Sequence, residues 1–150
     1  MNEKEIISKL PYSEPFLFVD EIESVSENDI KGNYVFRKEA EFYRGHFKNN
    51  PVTPGVILTE CLAQIGLVCL GIYLLKNEFR TNENFQPQIA LSATKIDFYQ
   101  TVFPEEKVTV ISEKIYFRFN KLKCKTKMYN EQGKLVCEGE ISGMIKTNKR

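Results

Sequence analysis

The sequence predicts an α+β domain in which a curved antiparallel sheet wraps one long central helix. Three observations carry that expectation. Residues 55–75 form a nearly unbroken apolar run, "GVILTECLAQIGLVCLGIYLL", long enough to cross a domain as a helix. Strand-like stretches rich in β-branched and aromatic residues flank it, two before and four after. In "KLKCKTKMY" the alternation is strict, with Lys121, Lys123, Lys125 and Lys127 on one face and Leu122, Cys124, Thr126 and Met128 on the other. One face is therefore wet and one buried, as in an antiparallel sheet laid over a helix.

Taken in order, residues 16–25 and 29–38 read as the first two strands. Pro54 suits the first turn of the helix, with Thr53 as its N-cap. The helix is expected to run to about Lys76, roughly 30 Å. The same run is apolar enough to mimic a membrane span. Glu60 and Gln64 would then lie in hydrocarbon at considerable cost, and the amphipathic strands need a core to cover. A helix apolar all round is also how a fully buried central helix reads, so no span is expected. "KNEFRTNENFQPQ" reads as a polar loop. Strands follow at 89–99, 107–119 and 122–129, and a turn at "NEQG" leads into a last strand over 134–145. Only the tail "KTNKR" reads as frayed.

A length of 150 residues fits a single domain, 1–150, and 42% hydrophobic residues suffice for one core. Lys plus Arg number 21 against 20 Asp plus Glu, a net charge of +1 that gives no field for nucleic acid. Cys61, Cys69, Cys124 and Cys137 show no C-x-x-C and no metal-type spacing with the lone histidine. They read as reduced thiols packed as small hydrophobes, which fits a reducing cytoplasm. The N-terminal "MNEKEIISKLPYSEP" is charged and lacks the apolar core of a signal peptide.

The chemistry gathers in "HFKNNPVTPGVILTECLAQ", residues 46–64. Glu60 and Gln64 stand four apart and so share one helix face. A carboxylate among apolar side chains is costly unless paired or protonated, and a protonated one can serve as a general acid. His46, the only histidine, lies on a turn-rich segment where its neutral ring could act as a base. Such a pair suits removal of a proton beside a carbonyl with protonation of a leaving hydroxyl. The helix start at Pro54-Gly55 leaves unpaired backbone N–H groups, from Gly55 onward, that can polarise a carbonyl oxygen, and the missing Cβ of Gly55 admits a substrate closely. Simpler roles stand beside these. The histidine could be a surface or capping group, Glu60 interfacial or salt-bridged, and Gln64 the partner of a backbone group.

"LPYSEPFLFVDEI", "YRGHFKNNPVTPGVILTECLAQIG" and "IDFYQTVFPEEKVTV" resemble, in that order, the three signature stretches of the β-hydroxyacyl-acyl-carrier-protein dehydratases, the FabZ/FabA group. The resemblance spans roughly Leu10 to Ile145. It implies the hotdog fold and a homodimer joined edge to edge, often assembled further into a trimer of dimers. It implies that His46 removes the C2 proton and that Glu60, supplied by the partner subunit, handles the C3 hydroxyl. The Gly55 amide would bind the thioester oxygen, with Gln64 as support. Phe47 and Val56, beside these motif residues, are expected to contact substrate. The substrate implied is a 3-hydroxyacyl chain on the phosphopantetheine arm of acyl carrier protein, with no metal or organic cofactor. Glutamate at position 60 is similar to the plain dehydratases rather than the isomerising branch.

Departures from the pattern are Tyr12 where the family reads "LPH", Lys48-Asn49 where it reads "GHFPG", and Pro104-Glu105-Glu106 where it reads "PGD". Asn49 can take the left-handed backbone of the glycine. These changes leave open a housekeeping fatty-acid enzyme or one serving a polyene, pigment or polyketide pathway. The lysine row is either a solvated strand face or, with Arg44, Lys48 and Arg118, an attraction for an acidic carrier protein. Two other functions remain in view, a hotdog thioesterase and a non-catalytic hotdog subunit that binds the carrier or an active partner.

Overall fold

A computed structural model describes residues 1–146; the predicted frayed tail lies, beyond Lys146, outside the described residues. Six strands form one sheet in the order β1-β2-β4-β5-β6-β3, with every neighbouring pair antiparallel. They are β1 Glu21–Val25, β2 Asp29–Val35, β3 Gln88–Phe98, β4 Lys107–Arg118, β5 Lys121–Tyr129 and β6 Leu135–Lys146. The sheet curls around a central helix, α2, Gly55–Leu74. Short helices α1, Glu3–Ser8, and α3, Lys76–Thr81, flank it. The α+β class and the wrapped helix are as the sequence predicts.

Helix α2 is buried because it is apolar all round and meets sheet on several sides. Residues 61–72 are buried without a break. Removing side chains such as Leu62, Ile65, Leu67 and Leu70 from water stabilises the fold by about 1.5–3 kcal/mol each. Gly66 lets the helix approach the sheet: a Cβ there would stand 3.0 Å from both Ser112 and Thr126. Ser112 Oγ donates to the Gly66 carbonyl at 2.8 Å. Over Gln64–Cys69 the helix widens into π-type turns. Its length would cross a membrane, but most of it is covered by its own sheet.

The strict alternation of β5 is borne out. Leu122, Cys124, Thr126 and Met128 are fully buried, and the lysines face outward. Lys125 and Lys127 face Glu140 and Glu138 across the ladder, and Lys123 pairs with Glu140 at 3.1 Å. At the "NEQG" turn Gly133 takes φ 77, and Asn130 Oδ1 accepts from the N–H groups of Gln132 and Lys134.

Other expectations need correction. Residues 16–20 are not strand: their backbone groups bond to the central helix and to Asn33 instead. Thr53 is not the N-cap of α2. Pro54 takes that position without a side-chain cap, while Thr53 Oγ1 bonds the Tyr43 hydroxyl at 2.5 Å. The helix breaks at Leu75 rather than running to Lys76, and the expected polar loop begins with α3. That helix is held by Phe79, whose ring meets Phe85 at 4.9 Å. Helix α1 was not foreseen; the Asn2 side chain caps it by accepting from Glu5 N–H, and Ile6 is fully buried beneath it.

Candidate active site

His46 sits on a tight loop that leaves a 3-10 turn, Glu41–Arg44, and leads to the start of α2. Phe47 and Asn50 exchange backbone hydrogen bonds at 3.0 Å each, closing the loop. Asn49 takes φ 59, the left-handed backbone expected of it. Val52 is the pin: its N–H donates to the His46 carbonyl, and its own carbonyl lies 3.0 Å from His46 Nδ1. A carbonyl only accepts, so Nδ1 carries the hydrogen and the neutral ring presents Nε2 as a lone pair. The ring stacks on Phe47, centroids 4.2 Å apart, and is half-buried.

Glu60 is placed by a glutamine. Gln64 is fully buried. Its Oε1 accepts from Phe18 N–H at 2.8 Å; its Nε2 donates to the Phe16 carbonyl at 3.0 Å and to Glu60 Oε1 at 3.1 Å. Both amide hydrogens are thereby used, and none remains for a substrate. Among the described residues the bond from Gln64 is the one hydrogen bond to the Glu60 carboxyl. Tyr12 is half-buried, and its phenol is pushed up to about 12 by burial first and the Glu60 charge second.

At the start of α2, neither Gly55 nor Val56 has a backbone N–H partner among the described residues. The Phe98 ring lies over Gly55: a Cβ there would stand 3.4 Å from two ring atoms. Phe47, Val56 and Phe98 are 57%, 77% and 48% exposed, an apolar rim around the helix start. A cleft of about 350 Å³ lies beside the His46 loop, lined by Lys38, Tyr43, Arg44, Pro51, Pro104 and Glu105. Arg44 pairs with Glu41 at 2.9 Å and Lys38 with Glu105 at 3.6 Å, both at the surface. Glu105 takes φ 73, holding the turn shape without the glycine.

Residues 10–146 match the family of the FabA-like domain. The chain belongs to that family. Within it, this member is 36% identical over 142 residues to the 3-hydroxyacyl-acyl-carrier-protein dehydratase FabZ of Caldicellulosiruptor saccharolyticus, covering 94% of this chain and 96% of that protein. It is 34% identical over 145 residues to the FabZ of Clostridium perfringens strain SM101, covering 94% and 96%. Among solved structures it is similar to the dehydratase heterocomplex ApeI:P from Xenorhabdus doucetiae, with TM-score 0.78, 11% identity and coverage of 95% and 91%. A hypothetical thioesterase with coenzyme A from Streptococcus pneumoniae gives TM-score 0.62, 12% identity and coverage of 87% and 88%. At such identities these two speak for the hotdog fold alone.

This FabA-like chain brings Glu60 and Gln64 together, and sets Gly55 and Val56 at one helix end. Among the described residues no hydrogen bond or ion pair joins His46 to Glu60. Arg44 and Lys48 share the His46 loop, whereas Arg118 closes the far end of β4, its guanidinium over Tyr116 at 4.5 Å. Sequence reasoning missed Val52, which acts through its backbone, and Phe98, which reaches Gly55 from another strand. Both lie inside the signature stretches quoted above, but neither side-chain type announces its role. Tyr12 stood out as a departure from the family pattern.

Proposed function

We propose that this chain is a (3R)-3-hydroxyacyl-acyl-carrier-protein dehydratase, removing water from a carrier-bound thioester to leave the trans-2-enoyl product. It acts as a hydro-lyase in fatty-acid synthesis or a related polyene or polyketide route. Family membership and the names of its relatives support the activity. One observation at the site carries the reading: Val52 holds His46 Nδ1, so that Nε2 is left as the base.

In this reading His46 Nε2 takes the C2 proton while the Gly55 N–H steadies charge on the thioester oxygen. The electron pair released at C2 forms the C2–C3 double bond, and the C3–O bond breaks. Glu60, given by the partner subunit and steadied by Gln64, passes a proton to the departing hydroxyl, which leaves as water. Phe47 and Val56 border the acyl chain. The chain works as a homodimer, further assembled or not, and β3 supports that: it is a sheet edge with Leu91 and Phe98 exposed. Arg44 and Lys48 meet the acidic carrier with its phosphopantetheine arm, Arg118 adding to the basic surface from elsewhere. The four free, buried thiols fit a cytoplasmic setting.

Ultraviolet absorbance of the enoyl thioester tests this. The wild-type protein should turn over a 3-hydroxyacyl carrier substrate, and His46→Ala and Glu60→Gln should each lose it by at least about a hundredfold. Release of free thiol without enoyl product would instead make the protein a thioesterase. Carrier binding with neither product would make it a silent subunit.

A further inference from the structure

The loop that carries His46 has almost no burial of its own. Of residues 44–51 only His46 is even half-buried; the others are exposed. At its tip Asn50 N–H donates to the Phe47 carbonyl and Asn49 takes φ 59. Lys48 stands second in that turn, where a proline would preset the backbone, so the turn relies on its hydrogen bonds. Tyr43 and Thr53 stand at the root of the loop, directly before and after residues 44–52. Both are buried, each 6% exposed, and their hydroxyls bond to each other at 2.5 Å. Each is also fastened elsewhere. The Tyr43 ring packs on Phe42, centroids 4.6 Å apart, and belongs to the core. Thr53 N–H donates at 2.8 Å to the Val102 carbonyl, on the segment between β3 and β4. Thr53 stands two residues before Gly55, so the pair joins the root of the histidine loop to the start of α2. The reaction as written above gives neither hydroxyl a part.

We propose that Tyr43 and Thr53 are positioning residues, their shared hydrogen bond being the clasp that holds His46 in place against the Gly55 amide. The role rests on the dehydratase reading for its chemistry but not for its geometry. Val52 follows His46 by six positions and directly precedes Thr53, so whatever fixes Thr53 also fixes the Val52 carbonyl. That carbonyl keeps the hydrogen on Nδ1 and the lone pair on Nε2. A hydroxyl pair is directional, whereas two apolar side chains of the same shape hold a distance but not an orientation. An exposed loop with no core of its own needs the orientation.

Two measurements on the intact protein test the proposal. The first needs no turnover. His46 is the only histidine, so ¹⁵N-labelled imidazole gives one pair of ring signals. At pH 8 the wild-type ring should read as the Nδ1–H tautomer alone. Tyr43→Phe and Thr53→Val should each move the pair towards a mixture of tautomers. The second is kinetic. Each change should lower kcat about tenfold with KM little changed, and the two together should cost no more than one, as for a single shared bond. The double variant separates the clasp from plain packing. Each single variant strands one buried hydroxyl and lowers Tm, whereas the double variant, with both hydroxyls gone, should return close to the wild-type Tm. Its kcat and its mixed ring signals should nevertheless stay as in the single variants. A wild-type ring on the Nε2–H tautomer would overturn the proposal, as would ring signals unmoved in both single variants. So would a double variant whose kcat recovers together with its Tm. A ring that loses its tautomer in the variants of a protein that forms no enoyl product would uphold the clasp and count against the dehydratase reading alone.

Discussion

Gln64 uses its whole amide inside the protein, bonding Phe16, Phe18 and Glu60 at once. Gln64→Leu would leave a buried N–H and a buried carbonyl without partners, at a cost of about 2–4 kcal/mol. Thermal denaturation should show a drop of several degrees, and enoyl formation should fall further than stability explains because Glu60 loses its mooring. The thiols offer a second test at the same scale. Burial pushes all four up, Cys124 to about 11 and Cys137 to about 12, against an ordinary 9.0. They are therefore neutral at pH 8, and a disulfide reagent should find none of them in the folded protein and all four after denaturation. Since the unfolded chain ionises first, it holds fewer protons above pH 9 than the native state does. Stability should be at full strength below that point and decline as pH rises through 9 towards 12, seen as a falling Tm.

Among the elements, β3 depends most on a missing side chain. A Cβ on Gly139 would sit 1.8 Å from the Lys95 carbonyl, against 3.0 Å for the nearest atoms at Gly66. Gly139→Ala must push β3 off β6, at a cost above the usual 1–3 kcal/mol of an overpacked site. Gly66→Ala should fall within that range, and paired denaturant titrations would rank them. How far the elements could be read from sequence follows from how local their causes are. The strands after residue 88 and the helix itself were legible because alternation and an apolar run are local patterns. Residues 16–18 look equally strand-like, but Gln64, 46 positions away, claims their backbone. The polar stretch after Leu75 conceals α3, because its two anchoring rings, Phe79 and Phe85, straddle the helix end. At the site, His46, Glu60 and Gln64 stood out by motif. The Val52 carbonyl and the Phe98 ring did not, since a backbone oxygen has no residue type and the ring comes from a different strand.

For the molecule as a whole, the proposed sharing of one site between two subunits can be checked without a structure of the assembly. His46→Ala and Glu60→Gln chains should each be nearly inactive alone. Unfolded together and refolded as an equal mixture, half of the dimers are mixed, and each of those holds one intact His46–Glu60 pair. About a quarter of wild-type turnover should return; none should return if each chain builds its own site. The central helix has a different consequence, felt before the fold exists. Its 20 greasy residues are made well before β4, β5 and β6, three of the strands that cover them. The last of these ends about seventy residues later, roughly 4–14 seconds of synthesis at 5–20 residues per second. During that interval the ribosome displays a segment that passes for a membrane anchor. The growing chain must therefore rely on holding factors, or on speed, to stay out of the wrong compartment.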